Sequence, residues 1–114
     1  MTLQELRDWH AKRAGWEYHP NLSCIDSGPG THPATGAFWT RGNEAVWCHP
    51  FQPTLDGADA SFPNAWEWGR TPPRGDWCAV SLARGITEQT AYTGDKPRDL
   101  YELSKLAWEQ EAAR

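Results

Sequence analysis

The sequence predicts an α+β fold in which an antiparallel sheet, a β-hairpin plus a three-stranded meander, is packed by N-terminal and C-terminal helices. Two segments near the chain ends have apolar residues at helical spacing and carry helix-capping residues. Between them lie short aromatic-rich segments separated by Gly-containing turns, as is typical of antiparallel strands. The 114 residues suit one hydrophobic core, so we predict a single domain over residues 1–114.

The composition predicts an ordered domain with an aromatic core. Aliphatic residues are scarce, but eight Trp and three Tyr supply large apolar side chains, each burying roughly 150–250 Å². Disorder is not expected, because the net charge of −4 is modest and aromatic residues are frequent. The negative charge also disfavours direct nucleic-acid binding.

The first helix is predicted over Leu3–Ala14. Thr2 and Glu5 fit a capping box, in which each side chain accepts a hydrogen bond from the other residue's backbone N–H. An apolar stripe follows, and Gly15 stands where a left-handed residue would end the helix.

Residues 18–37 are predicted to form a long Gly/Pro-rich loop. They contain turn formers such as Asp26–Gly30 without a sustained period, apart from a possible short strand around Leu22–Ile25. Loops of this length inside a domain are often functional, so we expect a binding site to involve this segment.

A β-hairpin is predicted next, with strands Phe38–Thr40 and Glu44–Cys48 joined by a turn at residues 41–43. Pro50 and Pro53 end the second strand. Thr54 is then a candidate N-cap for a short helix over residues 55–60, with Asp56 and Asp59 near its positive end.

The meander is predicted from three segments, at residues 66–68, 77–82 and 86–92. The last segment has two moderately polar faces, which indicates an edge strand or one partly exposed to water. Asp95 is a plausible cap for the final helix, with Pro97 in its first turn. Leu100, Leu103, Leu106 and Ala107 form the apolar stripe of that helix.

Tryptophans and arginines are the binding candidates. Trp9, Trp68, Trp77 and Trp108 lie on apolar stripes and are predicted to be core residues. For each of the other four Trp, packing in the core is the favoured interpretation and stacking on a ligand or partner is the alternative. Three Arg precede Gly at predicted turns, where solvated side chains are the favoured interpretation and a grip on an anionic group is the alternative. The candidate binding residues are Trp16, Trp39, Trp47, Trp66, Arg41, Arg74 and Arg84.

Metal-dependent and covalent catalysis are not predicted. His19, Cys24, Cys48 and His49 are the nearest approach to a zinc ligand set, but they lack the close Cys-x-x-Cys pairs of structural zinc sites. No Cys has a helix-start position that would activate it as a nucleophile, and Ser27–Thr31 lacks the lysine of a phosphate-binding loop. We therefore expect no catalytic residue, no metal and no cofactor.

The sequence predicts a cytoplasmic protein. It contains no segment approaching the ~20 apolar residues of a membrane span, and its N-terminus lacks the apolar run of a signal peptide. Three Cys are an odd number and are read most simply as reduced thiols, although one disulfide plus a free thiol would also fit.

The layout resembles the phage ABA-sandwich domain family. The resemblance runs from Thr54–Ala58 through the 77–82 strand to Tyr92–Asp95 and the terminal helix, about half of the chain. It implies a helix, a central antiparallel sheet and a closing helix, and a phage origin, but no catalytic residues. Small acidic proteins of this kind are similar to accessory proteins that block host defence complexes by covering a basic groove.

Three functions are compatible with these sequence features. The first is non-enzymatic binding to a host protein or protein complex. The second is binding of a nucleotide or sugar by Trp and Arg, and the third is a Zn- or Cys-dependent enzyme. The sequence favours the first.

Overall fold

The computed structural model describes residues 1–20, 38–71 and 75–113. These residues form three helices and two three-stranded antiparallel sheets, which confirms the predicted α+β class with helices near both chain ends. The elements in chain order are α1 (Leu3–Arg13), β1 (Glu17–His19), β2 (Phe38–Arg41), β3 (Glu44–Val46), α2 (Leu55–Ala60), β4 (Trp66–Thr71), β5 (Asp76–Ser81), β6 (Thr87–Thr90) and α3 (Lys96–Ala112).

The chain divides into two compact units. Unit 1 consists of Met1–His10 and Phe51–Arg114, and unit 2 consists of Ala11–Pro50. The single domain over residues 1–114 stays a prediction.

Helix α1 begins and ends where its capping residues predict. The backbone N–H of Thr2 donates to Glu5 Oε1 at 2.9 Å, and that of Glu5 donates to Thr2 Oγ1 at 3.2 Å, which is the predicted capping box. Gly15 has a φ of 94°, and the N–H groups of Gly15 and Trp16 bond to carbonyls of the last turn at 3.1 and 2.9 Å. These bonds form a Schellman motif that stops the helix.

Unit 2 contains a strand that the sequence does not reveal. Residues 17–19 form β1, which pairs antiparallel with β2, so the prediction that a loop begins at residue 18 is wrong. The reason is that β1 is held by pairing with a segment about twenty residues away, whereas turn propensities are local. The remainder of the predicted loop, including the strand around Leu22–Ile25, lies outside the described residues.

The hairpin of β2 and β3 is confirmed. Arg41 pairs with Glu44, which leaves a two-residue turn at Gly42 and Asn43, and Gly42 has the positive φ of 59° that such turns require. β3 ends at Val46 rather than at Cys48, because the chain bends at the two following residues.

Helix α2 is confirmed over residues 55–60. Thr54 has extended backbone angles, and its hydroxyl accepts a hydrogen bond from the N–H of Gly57 at 3.1 Å. Asp56 lies in the first turn, as predicted. Asp59 instead lies in the last turn, where its carboxylate accepts a hydrogen bond from the indole of Trp68 at 2.5 Å.

Replacing Thr54 with Ala is expected to lower the free energy of unfolding by about 1 kcal/mol, because one N–H at the helix start loses its acceptor. Urea denaturation followed by far-UV circular dichroism measures the change. Thr54→Ser keeps the hydroxyl and should stay close to the wild type. Equal losses in the two variants would contradict the capping role.

The meander of β4, β5 and β6 builds the second sheet, with β6 at its edge as predicted. Side chains of β5 alternate between buried and half-buried, and the buried ones contribute to the core shared with α3. Asp95 caps α3 by accepting from the N–H of Arg98 at 3.2 Å. The buried core of unit 1 consists of Leu6, Ala58, Trp66, Trp77, Ala79, Leu100, Tyr101, Leu103 and Ala107.

The predicted core tryptophans differ in their burial. Trp77 is fully enclosed in the core, and Trp68 is partly buried and packs against it. Trp9 and Trp108 are also partly buried. Within the described ranges, the helices include none with the length and apolar character needed to cross a bilayer.

Candidate functional site

The β1–β2–β3 sheet of unit 2 carries a row of aromatic rings on one face. Cross-strand partners share a face of a sheet, and His19 lies opposite Phe38. Continuing the register of Trp39 with Val46 by one position places Trp47 beside Phe38 on the other side. We call His19, Phe38 and Trp47 the aromatic row, because one ring comes from each of the three chain segments.

The rings of the aromatic row are in contact and reach the surface. His19 and Phe38 are stacked, with centroids 4.7 Å apart and planes at 11°. Phe38 and Trp47 are 5.0 Å apart and tilted by 50°. Trp47 is 52% exposed, and the other two rings are half-buried. The row is therefore an aromatic strip in which Phe38 contacts both of the other rings, and Trp47 at one end is the most exposed of the three.

Polar groups lie beside the aromatic row on the same face. His19 Nε2 is 2.8 Å from Thr40 Oγ1, which fixes the orientation of the imidazole ring. Glu17 is exposed and lies opposite Thr40, two positions before His19 on β1. In the part of the chain that the structure describes, Glu17 forms no ion pair and the indole N–H of Trp47 finds no acceptor.

The opposite face of this sheet carries one buried ring, that of Trp39. Trp39, a candidate binding residue, is only 5% exposed there, and its ring contacts Tyr18 at 5.0 Å and His49 at 4.7 Å. This burial favours the packing role that the sequence left open for Trp39. Of the three rings, only Tyr18 offers a largely exposed surface.

Trp16 and Arg41, two other candidates, are brought together. The guanidinium carbon of Arg41 lies 4.5 Å from the ring centroid of Trp16, and its Nη2 lies 3.2 Å from Glu44 Oε1. A cation–π contact at an exposed site contributes about 0.5–1 kcal/mol. The guanidinium of Arg41 thus already contacts an aromatic ring, that of Trp16, and a carboxylate, that of Glu44.

Trp66 and Arg84 meet in unit 1 at one carboxylate of α3. The indole of Trp66 donates to Glu111 Oε1 at 2.9 Å, and Arg84 Nη2 donates to the same oxygen at 3.2 Å. Trp66 is 8% exposed, so this arrangement ties the β5–β6 turn and β4 to the end of α3 rather than presenting an open ring. Arg74, the last candidate, lies outside the described residues.

The candidate metal ligands are dispersed. His19 stacks on Phe38 and bonds to Thr40, while His49 packs on Trp39. Cys48 is exposed and, like Cys78, is a free thiol. Among the described residues, no group of three or more His, Cys, Asp or Glu is arranged to hold a metal ion. Cys24 lies outside those residues.

The sequence alone does not assign His19 and Phe38 to a candidate binding surface. The sequence alone indicates His19 only as a candidate metal ligand and Phe38 only as a strand residue. The missing information was the register of β1 with β2, which places the two rings side by side. Alternating residues within β1 alone are too few to show it.

Comparisons with known proteins give no relative. No family model, curated protein or solved structure matches this chain. The resemblance to the phage ABA-sandwich domain family stays a prediction.

Proposed function

We propose that this chain is a non-enzymatic binding protein that docks on another protein through the aromatic row of unit 2. The observation that carries the proposal is the half-exposed ring of Trp47. This ring contacts Phe38, and Phe38 in turn stacks on His19. Trp is enriched among the few residues that carry most of the energy of protein interfaces. A ring already braced by a neighbour loses little conformational entropy on binding.

The charges near the aromatic row favour a protein over a nucleic acid. Phosphate backbones are bound by Lys and Arg, and in the described parts of β1, β2 and β3 the only such residue is Arg41, which is engaged by Trp16 and Glu44. Glu17 adds a negative charge to the face of the row. The chain as a whole carries a net charge of −4.

The phage resemblance adds a specific partner to this proposal. It implies a host protein complex whose basic groove would attract an acidic protein through complementary charge. The protein would act by covering that groove, so no catalytic residue is required.

Capture of partners by immobilised full-length protein tests the proposal. Wild-type protein is expected to retain a specific partner from host-cell extract, and Trp47→Ala should retain at least about tenfold less, because truncating an interface Trp typically costs 2 kcal/mol or more. The amount of each captured protein is measured by quantitative mass spectrometry.

Leu82→Ala is the matched control for this experiment. Leu82 is an exposed apolar residue of unit 1, 60% accessible, and has no place in the aromatic row. Its variant should capture the partner as the wild type does. Retention of the same proteins by Trp47→Ala, or capture of no specific partner, would contradict the proposal.

A small neutral ligand such as a sugar is the second candidate. The exposed Trp47 ring at the end of the row offers an aromatic surface against which an uncharged sugar ring could pack. The sequence alone predicts, as its second function, a site in which Trp and Arg together bind a nucleotide or sugar. The contacts of Arg41 with Trp16 and Glu44 favour a neutral ligand over an anionic nucleotide.

A further inference from the structure

We infer that the aromatic row binds a proline-rich segment of its partner, in the polyproline II conformation and with a basic residue beside the prolines. This inference rests on the proposed function and specifies the chemistry of the partner. Three features of unit 2 carry it, namely the length of the aromatic row, an unused indole donor and an unpaired carboxylate.

The length of the aromatic row fits one turn of a polyproline II helix. Its ring spacings of 4.7 and 5.0 Å place the centroids of His19 and Trp47 at most about 10 Å apart, and three residues of polyproline II cover roughly 9 Å. Two prolines three positions apart lie on the same side of that helix. One can therefore pack near His19 while the other packs against Trp47.

The indole N–H of Trp47 supplies the donor that such a segment needs. Polyproline II has no internal hydrogen bonds, so its carbonyl groups remain available as acceptors. Trp47 is half-exposed, and its N–H has no acceptor within the described ranges. Aromatic-lined surfaces that bind proline-rich segments gain from a ligand whose backbone is already ordered before binding.

The carboxylate of Glu17 is the reason to expect a basic residue beside the prolines of the bound segment. This carboxylate is exposed on the face of the aromatic row, two positions from His19 on β1, which corresponds to roughly 7 Å along a strand. Among the described residues, none forms an ion pair with this carboxylate. A Lys or Arg next to the prolines would lie within reach of this negative charge. The net charge of −4 on the chain likewise favours a positively charged partner.

Titration of the full-length protein with synthetic peptides tests the inference. The probe is a ten-residue peptide with two prolines three positions apart and an arginine beside the second. Its Kd is measured by isothermal titration calorimetry, and the indole N–H resonance of Trp47, assigned from Trp47→Phe, is followed by NMR. We expect this resonance to move, and replacing both prolines by alanine to weaken binding at least tenfold.

Two variants test the donor and the charge separately. Trp47→Phe keeps an aromatic ring but lacks the N–H, so about fivefold weaker binding is expected from the loss of one hydrogen bond. Glu17→Gln should reduce the preference for the arginine peptide over its glutamine counterpart to near unity. Leu82→Ala should bind as the wild type does, and dispersed amide spectra establish that each variant is folded.

Several outcomes would overturn the inference. They are no shift of the Trp47 resonance at millimolar peptide, equal affinity for the alanine peptide, and unchanged binding by Trp47→Ala. Displacement of the Trp47 resonance by a neutral oligosaccharide but not by the peptide would instead identify the row as a sugar surface. If partner capture depends on Trp47 while the peptide fails to bind, this inference fails and the proposed function stands.

Discussion

Replacing Asp99 with Ala is expected to lower the free energy of unfolding by about 3–5 kcal/mol, the range seen when one partner of a buried charged network is removed. Asp99 is completely buried in unit 1, in the first turn of α3. A loss of this size is a large fraction of the stability of an ordinary domain, which is about 5–15 kcal/mol.

The expected loss follows from the number of donors that Asp99 satisfies. Its Oδ2 accepts the indole N–H of Trp77 at 3.0 Å and the backbone N–H of Thr93 at 2.8 Å. Its Oδ1 accepts the hydroxyl of Thr93 at 2.5 Å and Arg98 Nη1 at 3.4 Å. Without the carboxylate, the buried indole and the peptide N–H would have no acceptor, and each such group costs about 1–3 kcal/mol.

The same network makes the effect depend on pH. Burial alone would raise the pKa of Asp99, but hydrogen bonds from Thr93, Trp77 and Arg98 outweigh it and hold the pKa below its usual value. An unfolded Asp titrates near pH 4, at about 3.9. The stabilisation by the ionised carboxylate is therefore complete above that pH and is lost as the pH falls through the lower folded pKa.

Urea denaturation of the wild type and Asp99→Ala at several pH values measures both effects. The difference between them should be constant from about pH 5 to 8 and should shrink below about pH 4. Asp95→Ala is the control on the same helix, because Asp95 is exposed and acts only as a cap, with an expected cost of about 1 kcal/mol. Equal costs for the two variants would refute the network as the source of stability.

The parts of this fold that the sequence predicts are those set by local chemistry. Thr2 with Glu5, Thr54 and Asp95 each mark a helix start through a hydrogen bond to a residue three positions away. Gly42 marks the hairpin turn because few other residues adopt its positive φ. Signals of this kind need no knowledge of the rest of the chain.

The parts of the fold that the sequence does not predict depend on contacts between residues far apart in the sequence. Residues 17–19 form a strand only because β2 pairs with them, and their sequence between Gly15 and Pro20 is too short to show alternation. The burial of Trp39 and the exposure of Trp47 follow from the register of β2 with β3, since a shift of one residue exchanges the faces. The aromatic row could therefore be found only once the register was known.

Replacing Gly57 with Ala is expected to lower the free energy of unfolding by about 2–3 kcal/mol, as overpacking of a filled site does. A Cβ at this position would lie 2.5 Å from the backbone oxygen of Gln52 and 2.8 Å from the hydroxyl of Tyr101. Ala favours a helix over Gly by about 1 kcal/mol. The clash outweighs that gain, because the backbone at Gln52 has to move.

The movement would also strain a hydrogen bond in the core of unit 1. The hydroxyl of Tyr101 donates to the oxygen of Gln52 at 2.5 Å, and burial raises the pKa of Tyr101 to about 12, so the donor stays protonated at neutral pH. Tyr101→Phe alone should cost about 1 kcal/mol through the loss of this bond. In combination with Gly57→Ala it should cost less than the sum, because one of the two clashing atoms is absent.

Gly69→Ala provides the matched control for Gly57→Ala, since no atom lies within 4 Å of a Cβ built at Gly69 in β4. Its stability should remain within about 0.5 kcal/mol of the wild type, as for a substitution that makes no new contact. The four proteins of the Gly57–Tyr101 cycle and this control are compared by urea denaturation under the same conditions. A cost at Gly57 no larger than that at Gly69, or strict additivity with Tyr101→Phe, would show that the α2 contact with Gln52 and Tyr101 has room for a methyl group. A cost concentrated at Gly57 and partly relieved by Tyr101→Phe would instead identify this close approach as the reason that a residue unfavourable to helices stands inside α2.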